Sequence, residues 1–196
     1  MLRAFFNEKA AIWDKTRAEK DTAKLEGMAD RLKLKPGSLV LDVGTGTGVF
    51  LPYILDRIGS KGWVVALDFA EEMLKKARDK NDDSNIYYLQ ADIIRIPLGD
   101  EIFDSVICYS SFPHFHDKSK ALNNINQVMK RGGNLFICHT SSRTKINEIH
   151  SHDPTVKDDI LPDIDEMRSL LSAARFSKIE IEDWSDSYLA SAEKTE

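Results

Sequence analysis

Three short stretches carry side chains able to do chemistry: LDVGTGTG at 41–48, ALDFAEEM at 66–73 and LQADIIR at 89–95. Each places an acid at or near the end of a β-rich apolar run. The first adds Gly44, Gly46 and Gly48, which let the backbone turn tightly and lie close to a ligand. A helix starting just beyond would present free N–H groups there. A carboxylate at a strand end, such as Asp68, can accept hydrogen bonds from both hydroxyls of a ribose, in dinucleotide and adenosyl cofactors alike. Asp92, at the next such point, suits the exocyclic amine of an adenine; alone it would read as a solvated loop acid. The dinucleotide fingerprint G-x-G-x-x-G fails on spacing. Counted from Gly44 its third glycine falls on Val49, and from Gly46 on Leu51, so a pyrophosphate cradle is poorly supported.

Imidazole is the second chemical resource. All five histidines, His114, His116, His139, His150 and His152, lie in the second half of the chain. Three roles compete. They are polar loop residues; or one is a general base, with a free pKa of about 6.5 suited to a hydroxyl or thiol; or they hold a divalent metal, with ligands at about 2.0–2.1 Å. The candidate base is His114, which comes soonest after a strand. The candidate ligands are His139 and His150 with His114 or His116, and Asp153 or Asp159 adding an oxygen. Their spacing is too irregular for a zinc motif.

The elements that must position these groups alternate. After a helical segment with Leu25, Met28, Ala29 and Leu32 on one face, Pro36-Gly37 breaks the pattern. Phe5, Phe6, Ile12 and Trp13 suggest a shorter helix ahead of it. Strands are expected at 38–43, 62–68, 85–92, 103–110 and 134–140. Helices are expected at about 49–58, with Pro52 in the first turn, at 70–80, and at 118–131, stopped by Gly132-Gly133. A loose stretch should run to Pro162. Asp163 then caps a further helix, with Glu166 at the capping-box position, before a closing antiparallel pair. Alternating β and α with buried strands means an α/β doubly wound sheet, whose ligands sit beyond the C-terminal strand ends. Residues 1–35 read as a helical cap or lid and 36–196 as the main unit of one structural domain.

Composition narrows the function. The chain has 196 residues and net charge −5, with Lys and Arg scattered, so no basic footprint for nucleic acid is present. No apolar run reaches the roughly 18–20 residues of a membrane span. The first residues lack the apolar core of a signal peptide, so the expected location is the cytoplasm. Cys108 and Cys138 sit in apolar runs and read as small core residues. Neither a Ser-His-Asp nor a Cys-His signature is found.

On VLDVGTGTG, ALDFAEEML, QADIIRIPLGDEIFDSVIC and VMKRGGNLFI, with FFNEKAAIWDK ahead and LLSAARF behind, nearly the whole chain resembles the class I S-adenosylmethionine-dependent methyltransferases. The nearest branch is that of ubiquinone and menaquinone biosynthesis. Ala70, Arg131 and Arg175 depart from the usual Ser, Pro and Gly. The resemblance implies a Rossmann-like seven-stranded sheet of order 3-2-1-4-5-7-6 with strand seven antiparallel. It places cofactor contacts on Asp42, Gly44, Thr45, Gly46, Gly48, Asp68, Phe69, Met73, Asp92, Ile93 and Tyr109, with Phe69 and Ile93 flanking an adenine. Methyl transfer from a sulfonium is a direct displacement and needs no protein nucleophile, only alignment and a dry pocket. Tyr109-Ser110-Ser111-Phe112-Pro113 lacks the Asn/Asp-Pro-Pro-aromatic run of nucleobase-amine methyltransferases, so the expected acceptor is a small molecule. Phe5, Phe6, Trp13, Phe112 and Phe115 are candidates for its walls. Two alternatives remain: a protein that binds the cofactor without turnover, and a nicotinamide-linked oxidoreductase.

Overall fold

In the computed structural model, whose described residues are 2–16, 21–96 and 98–195, five strands run parallel. They are β1 (Leu39–Val43), β2 (Trp63–Asp68), β3 (Ile86–Gln90), β4 (Phe103–Tyr109) and β5 (Met129–His139). With β6 (Phe176–Asp183) and β7 (Tyr188–Lys194) they form a sheet of order β3-β2-β1-β4-β5-β7-β6. β7 is antiparallel to both of its neighbours, as expected. The pleat sends alternate residues to opposite faces. Leu41, Val43, Val106 and Cys108 join one core; Val40, Ile107 and Tyr109 join the other.

Helices cover both faces. Ahead of β1 come α1 (Leu2–Lys9), α2 (Trp13–Thr16) and α3 (Thr22–Leu32); α4 (Leu51–Ile58) and α5 (Glu71–Lys80) follow β1 and β2. Then come α6 (Lys118–Val128), α7 (Arg143–Ser151) and α8 (Ile164–Ala173). α3 and α4 bury Leu25, Met28, Leu51 and Ile54 on one face of the sheet; α6 and α8 bury Leu122, Ile125, Met167 and Leu171 on the other. Each such side chain contributes about 1.5–3 kcal/mol of transfer free energy. Pro52 does fall in the first turn of α4, and Asp163 caps α8 by accepting from the Glu166 N–H at 2.8 Å. No helix among the described residues is long and apolar enough to cross a membrane.

Two expectations fail locally. The helix expected at 118–131 ends at Val128, and Gly132-Gly133 lie inside β5. Met129 pairs with Phe103 and Asn134 with Ser105, so the residues between bulge out of register. Gly132 takes φ +73° there, and a Cβ on Gly133 would lie 2.8 Å from the Lys130 carbonyl, so the glycines serve a bulge and not a helix stop. The stretch expected to be loose contains α7. Ser142 caps it by accepting from Lys145 N–H, and Ile146 and His150 are buried at i, i+4. A face of one isoleucine and one histidine gives too weak an apolar period to be read as a helix.

The loop between α7 and α8 is clamped from α7. Asn147 Nδ2 donates to the Leu161 carbonyl at 3.1 Å, and its Oδ1 accepts from the Leu161 N–H at 2.8 Å. Asn147→Ala leaves two part-buried backbone groups unpaired, at about 1–3 kcal/mol each where water cannot reach them. Hydrogen exchange should speed up across 152–163 in that variant and stay unchanged in β1 and β4. Unchanged exchange in the loop would show that the clamp does not hold it.

Candidate functional site

β1 and β2 end in register, Val43 opposite Leu67, so the turn after β1 lies beside the end of β2. The Gly44 and Thr45 N–H groups both donate to the Leu67 carbonyl, at 2.8 and 3.0 Å, and Gly48 N–H donates to Thr45 at 2.9 Å. Gly46 N–H donates to Asp68 Oδ2 at 2.8 Å, and Ala70 N–H to Asp68 Oδ1 at the same distance. Asp68, 5% exposed, therefore ties the glycine turn to the start of α5. The Phe69 N–H also bears on this carboxylate, which retains acceptor capacity beyond these backbone groups. Gly44, at φ +74°, lies against the turn that follows β4: a Cβ there would sit 2.4 Å from Ser111 Cβ, and Ser111 Oγ donates to the Val43 carbonyl at 2.6 Å.

A cavity of about 550 Å³ opens beyond these strand ends. Of the residues expected to hold a cofactor, Gly44, Thr45, Gly46, Asp68, Phe69, Met73, Asp92, Ile93 and Tyr109 line it. Asp42 and Gly48 do not. Asp42, 2% exposed, lies behind the wall. Gly48 packs on α5, where its Cβ would meet Asn81 Nδ2 at 2.7 Å and Ala77 Cβ at 3.0 Å. Asp92 Oδ1 accepts from the Ile94 N–H at 3.1 Å and starts a single 3-10 turn, Ile93–Arg95. The Tyr109 ring stacks on Phe50 with centroids 4.4 Å apart, and its hydroxyl lies 3.1 Å from Thr140 Oγ1.

The site fits an adenosyl sulfonium. Thr45 Oγ1, on the cavity wall, is buried with no hydrogen bond among the described residues, a cost that a bound polar group would relieve. A Cβ on Gly46 would meet nothing nearer than 4.0 Å, so the turn faces open space. A pyrophosphate fits less well, because the N–H groups of Gly44, Thr45, Gly46 and Gly48 are already bonded to protein. Burial pushes the Asp42 carboxyl up to about 7; the nearby Thr45 hydroxyl opposes this and Asp68 adds to it. Burial also pushes Asp68 up to about 6, against the backbone N–H groups it accepts.

Imidazoles take the other side of the cavity. His114, His116, His139 and His150 line it, whereas His152 does not: its Nδ1 pairs with the Glu148 carbonyl at 2.7 Å. The metal expectation is not supported. The described residues hold no group of three or more His, Cys, Asp or Glu that could bind an ion. His114 Nδ1 is taken by Asp159 Oδ2 at 2.8 Å and His150 Nδ1 by the Asp159 carbonyl. His139, 4% exposed, is lowered to about 3 by burial and by His114 and His150. Of the aromatics expected as walls, Phe6, Trp13 and Phe115 line the cavity; Phe112 is core and Phe5 packs on Phe6. Sequence reading missed Ser111, Thr140, Ile146 and Ile149 on the wall, since no charge or spacing marks them.

The cap closes one side. Phe6 and Ala10 pack on Ala70 and Met73, Glu72 N–H donates to Asn7 Oδ1 at 3.0 Å, and Thr47 Oγ1 donates to Asp14 Oδ1 at 2.6 Å. Phe6 meets the His114 ring edge-on at 5.0 Å.

Residues 41–137 match a family model described as a methyltransferase domain. The ubiquinone/menaquinone biosynthesis C-methyltransferase of Wigglesworthia glossinidia brevipalpis is 39% identical over 110 residues, 54% of this chain and 44% of that protein. The same enzyme of Vibrio vulnificus is 36% identical over 111 residues, 55% and 43% of the two chains. The chain thus spans less than half the length of these curated relatives. A SAM-dependent methyltransferase of Aquifex aeolicus superposes with TM-score 0.71 at 27% identity, covering 87% of this chain and 89% of that one. A putative methyltransferase of Haloferax volcanii, solved with the Trm112 activator, has the same fold at TM-score 0.82 and 20% identity, over 97% and 98%.

The raised carboxyls carry a pH signature. Their folded-state values, about 7 and about 6, lie above the ordinary carboxylate value of 3.8. The folded chain therefore holds more protons, and stability present at acid pH is lost as pH rises from about 4 to 7. Asp42→Asn removes the larger share. At pH 8 it should raise the melting temperature of the unliganded protein by about 5 °C, for a gain on the order of 2 kcal/mol, and the gap should close near pH 4. A variant that melts lower than wild type at pH 8 would contradict the assignment.

Proposed function

Because the chain belongs to the class I S-adenosylmethionine-dependent methyltransferases, we propose that it transfers the methyl group of that cofactor to a small-molecule acceptor by direct displacement. One observation carries the reading. Three separate strand ends deliver a glycine turn, a buried carboxylate and a second acid, Asp92, to a single cavity whose opposite wall is apolar and imidazole-rich. S-adenosylmethionine, when bound, supplies an electrophilic methyl group that carries its own leaving group.

The protein's part is to bind, orient and exclude water. Asp68 accepts from the ribose hydroxyls with the acceptor capacity that its backbone partners leave. Asp92 takes the adenine amine, with Phe69 and Ile93 against the ring faces. Thr45, on the cavity wall, takes a polar group of the amino-acid end. Phe6, Trp13, Phe115, Ile146 and Ile149 wall an acceptor with an apolar body. That suits ring acceptors of the kind named for the curated relatives, which methylate carbon in quinone biosynthesis. α1 and α2 act as a lid, since their contacts reach α5, the glycine turn and His114 together. Against a nicotinamide cofactor stands the bonded state of the glycine-turn amides.

Calorimetric titration tests this. S-adenosylmethionine should bind and NAD should not. Asp68→Ala removes charge-assisted hydrogen bonds at about 1.5–3 kcal/mol each, so Kd should rise at least about tenfold. Asp92→Ala, which leaves the turn's ties intact, should also weaken binding. Tighter binding of NAD, or unchanged affinity in both variants, would sink the reading. Hydrogen exchange in residues 2–16 should slow when cofactor binds; unchanged exchange there would remove the lid.

A further inference from the structure

Across the cavity from the strand-end acids lies a second cluster built from other elements. His114 follows β4, His139 ends β5, His150 is on α7, and Asp159 comes from the loop before α8. Asp159 Oδ2 lies 2.8 Å from His114 Nδ1, with the two side chains 11% and 21% exposed. The Asp159 carbonyl accepts from His150 Nδ1, and its N–H donates to the Val156 carbonyl at 2.9 Å. Asn147 fixes the same loop two residues on, at Leu161. The acid is thus held through backbone and side chain before it meets the imidazole.

Those contacts fix where the protons are. A carbonyl oxygen has none to give, so His150 Nδ1 carries its own. An ionised carboxylate has none either, so His114 Nδ1 carries the proton that Asp159 accepts. In the neutral ring the lone pair is left on Nε2. No hydrogen bond reaches His114 Nε2 among the described residues, and the ring lines the cavity. The charged and titratable groups facing the pair are few. His139 is held neutral near pH 7 by burial and by its two histidine neighbours. Lys118 sits within the field of Asp159 and donates to the Pro113 and Phe115 carbonyls, which fixes the turn that carries His114. The His150 ring lies 4.8 Å from His114. The Phe6 ring meets His114 in a T-shaped contact with centroids 5.0 Å apart.

We infer that His114 is the general base of this site and Asp159 its positioning residue, so that the acceptor is one that must lose a proton from an X–H bond. The inference rests on the methyl-transfer reading and narrows its acceptor class. A thioether or tertiary amine, which methylates without losing a proton, would have no use for the pair. In the step, the X–H proton moves to His114 Nε2 and the electron pair of that bond stays on X. The sum is X–H plus a sulfonium giving X–CH3, a neutral thioether and one proton, which the imidazole returns to water. Such a base contributes about 10²–10⁴-fold in rate.

Two spectroscopic readouts test this without an acceptor in hand. In full-length protein with ¹⁵N-labelled histidine, the His114 ring, assigned by its loss in His114→Gln, should carry its proton on Nδ1 at neutral pH. Asp159→Asn, which keeps the shape and removes the charge, should move it toward Nε2. The probe 4-nitrophenol, added with and without S-adenosylhomocysteine at one pH unit below the probe's own pKa, should bind wild type as the yellow phenolate. The ratio of phenolate to phenol should fall by about tenfold, one pKa unit, in His114→Gln and His114→Asn. It should fall less in Asp159→Asn. A wild-type proton on Nε2, no phenolate signal with wild type, or equal signals in all variants would overturn the assignment. If S-adenosylhomocysteine fails to bind while the tautomer and phenolate results hold, the methyl-transfer reading fails and the base stands.

Discussion

The N–H groups of Gly46 and Ala70 meet on the two oxygens of one buried carboxylate, Asp68. That junction sets the geometry of everything around it. It fixes the turn after β1 against the turn after β2, while Gly44 and Thr45 hold the same turn to the Leu67 carbonyl. The turn can lie this close to the one that follows β4 only because residue 44 has no Cβ: one placed there would overlap Ser111. Burial makes the arrangement costly, since both Asp42 and Asp68 are raised toward neutrality. Charged groups kept dry without full pairing are a mark of functional sites, where a ligand completes the pairing.

The sheet order then divides the cavity's labour. β2 and β3 lie on one side of β1 and bring the two acids; β4 and β5 lie on the other and bring His114 and His139. The chain's imidazoles are confined to its second half because that half builds one side of the cavity. The acids and the imidazoles face each other across the strand ends of a single sheet, with the cap helices between them and water.

Much of this was legible in the sequence. Asp68 and Asp92 could be placed at strand ends because buried runs and their terminating acids set the register, and the glycine spacing counted against a dinucleotide cradle without excluding a nicotinamide cofactor. Four of the five histidines do reach the cavity. Roles behind the wall were not legible: nothing in LDVGTGTG separates Gly46, which faces the cavity, from Gly48, which packs on α5. β5 was misjudged because the glycines of a bulge look like those of a helix stop. The metal reading failed because residue type alone does not show that Nδ1 of His114 and of His150 is already engaged. From the sequence, Asp159 reads only as an extra oxygen ligand. Its pairing with His114 spans 45 positions and depends on a loop whose path is set by Asn147, which no local pattern announces.

On this reading one cavity holds the cofactor on its acidic side and the acceptor on its imidazole side. A crystal structure of the protein with S-adenosylhomocysteine tests it most directly. The ribose hydroxyls should lie on Asp68, the adenine between Phe69 and Ile93 with its amine at Asp92, and the sulfur should turn toward His114 and His150. A cofactor bound elsewhere, or one whose sulfur faces away from the imidazoles, would contradict it.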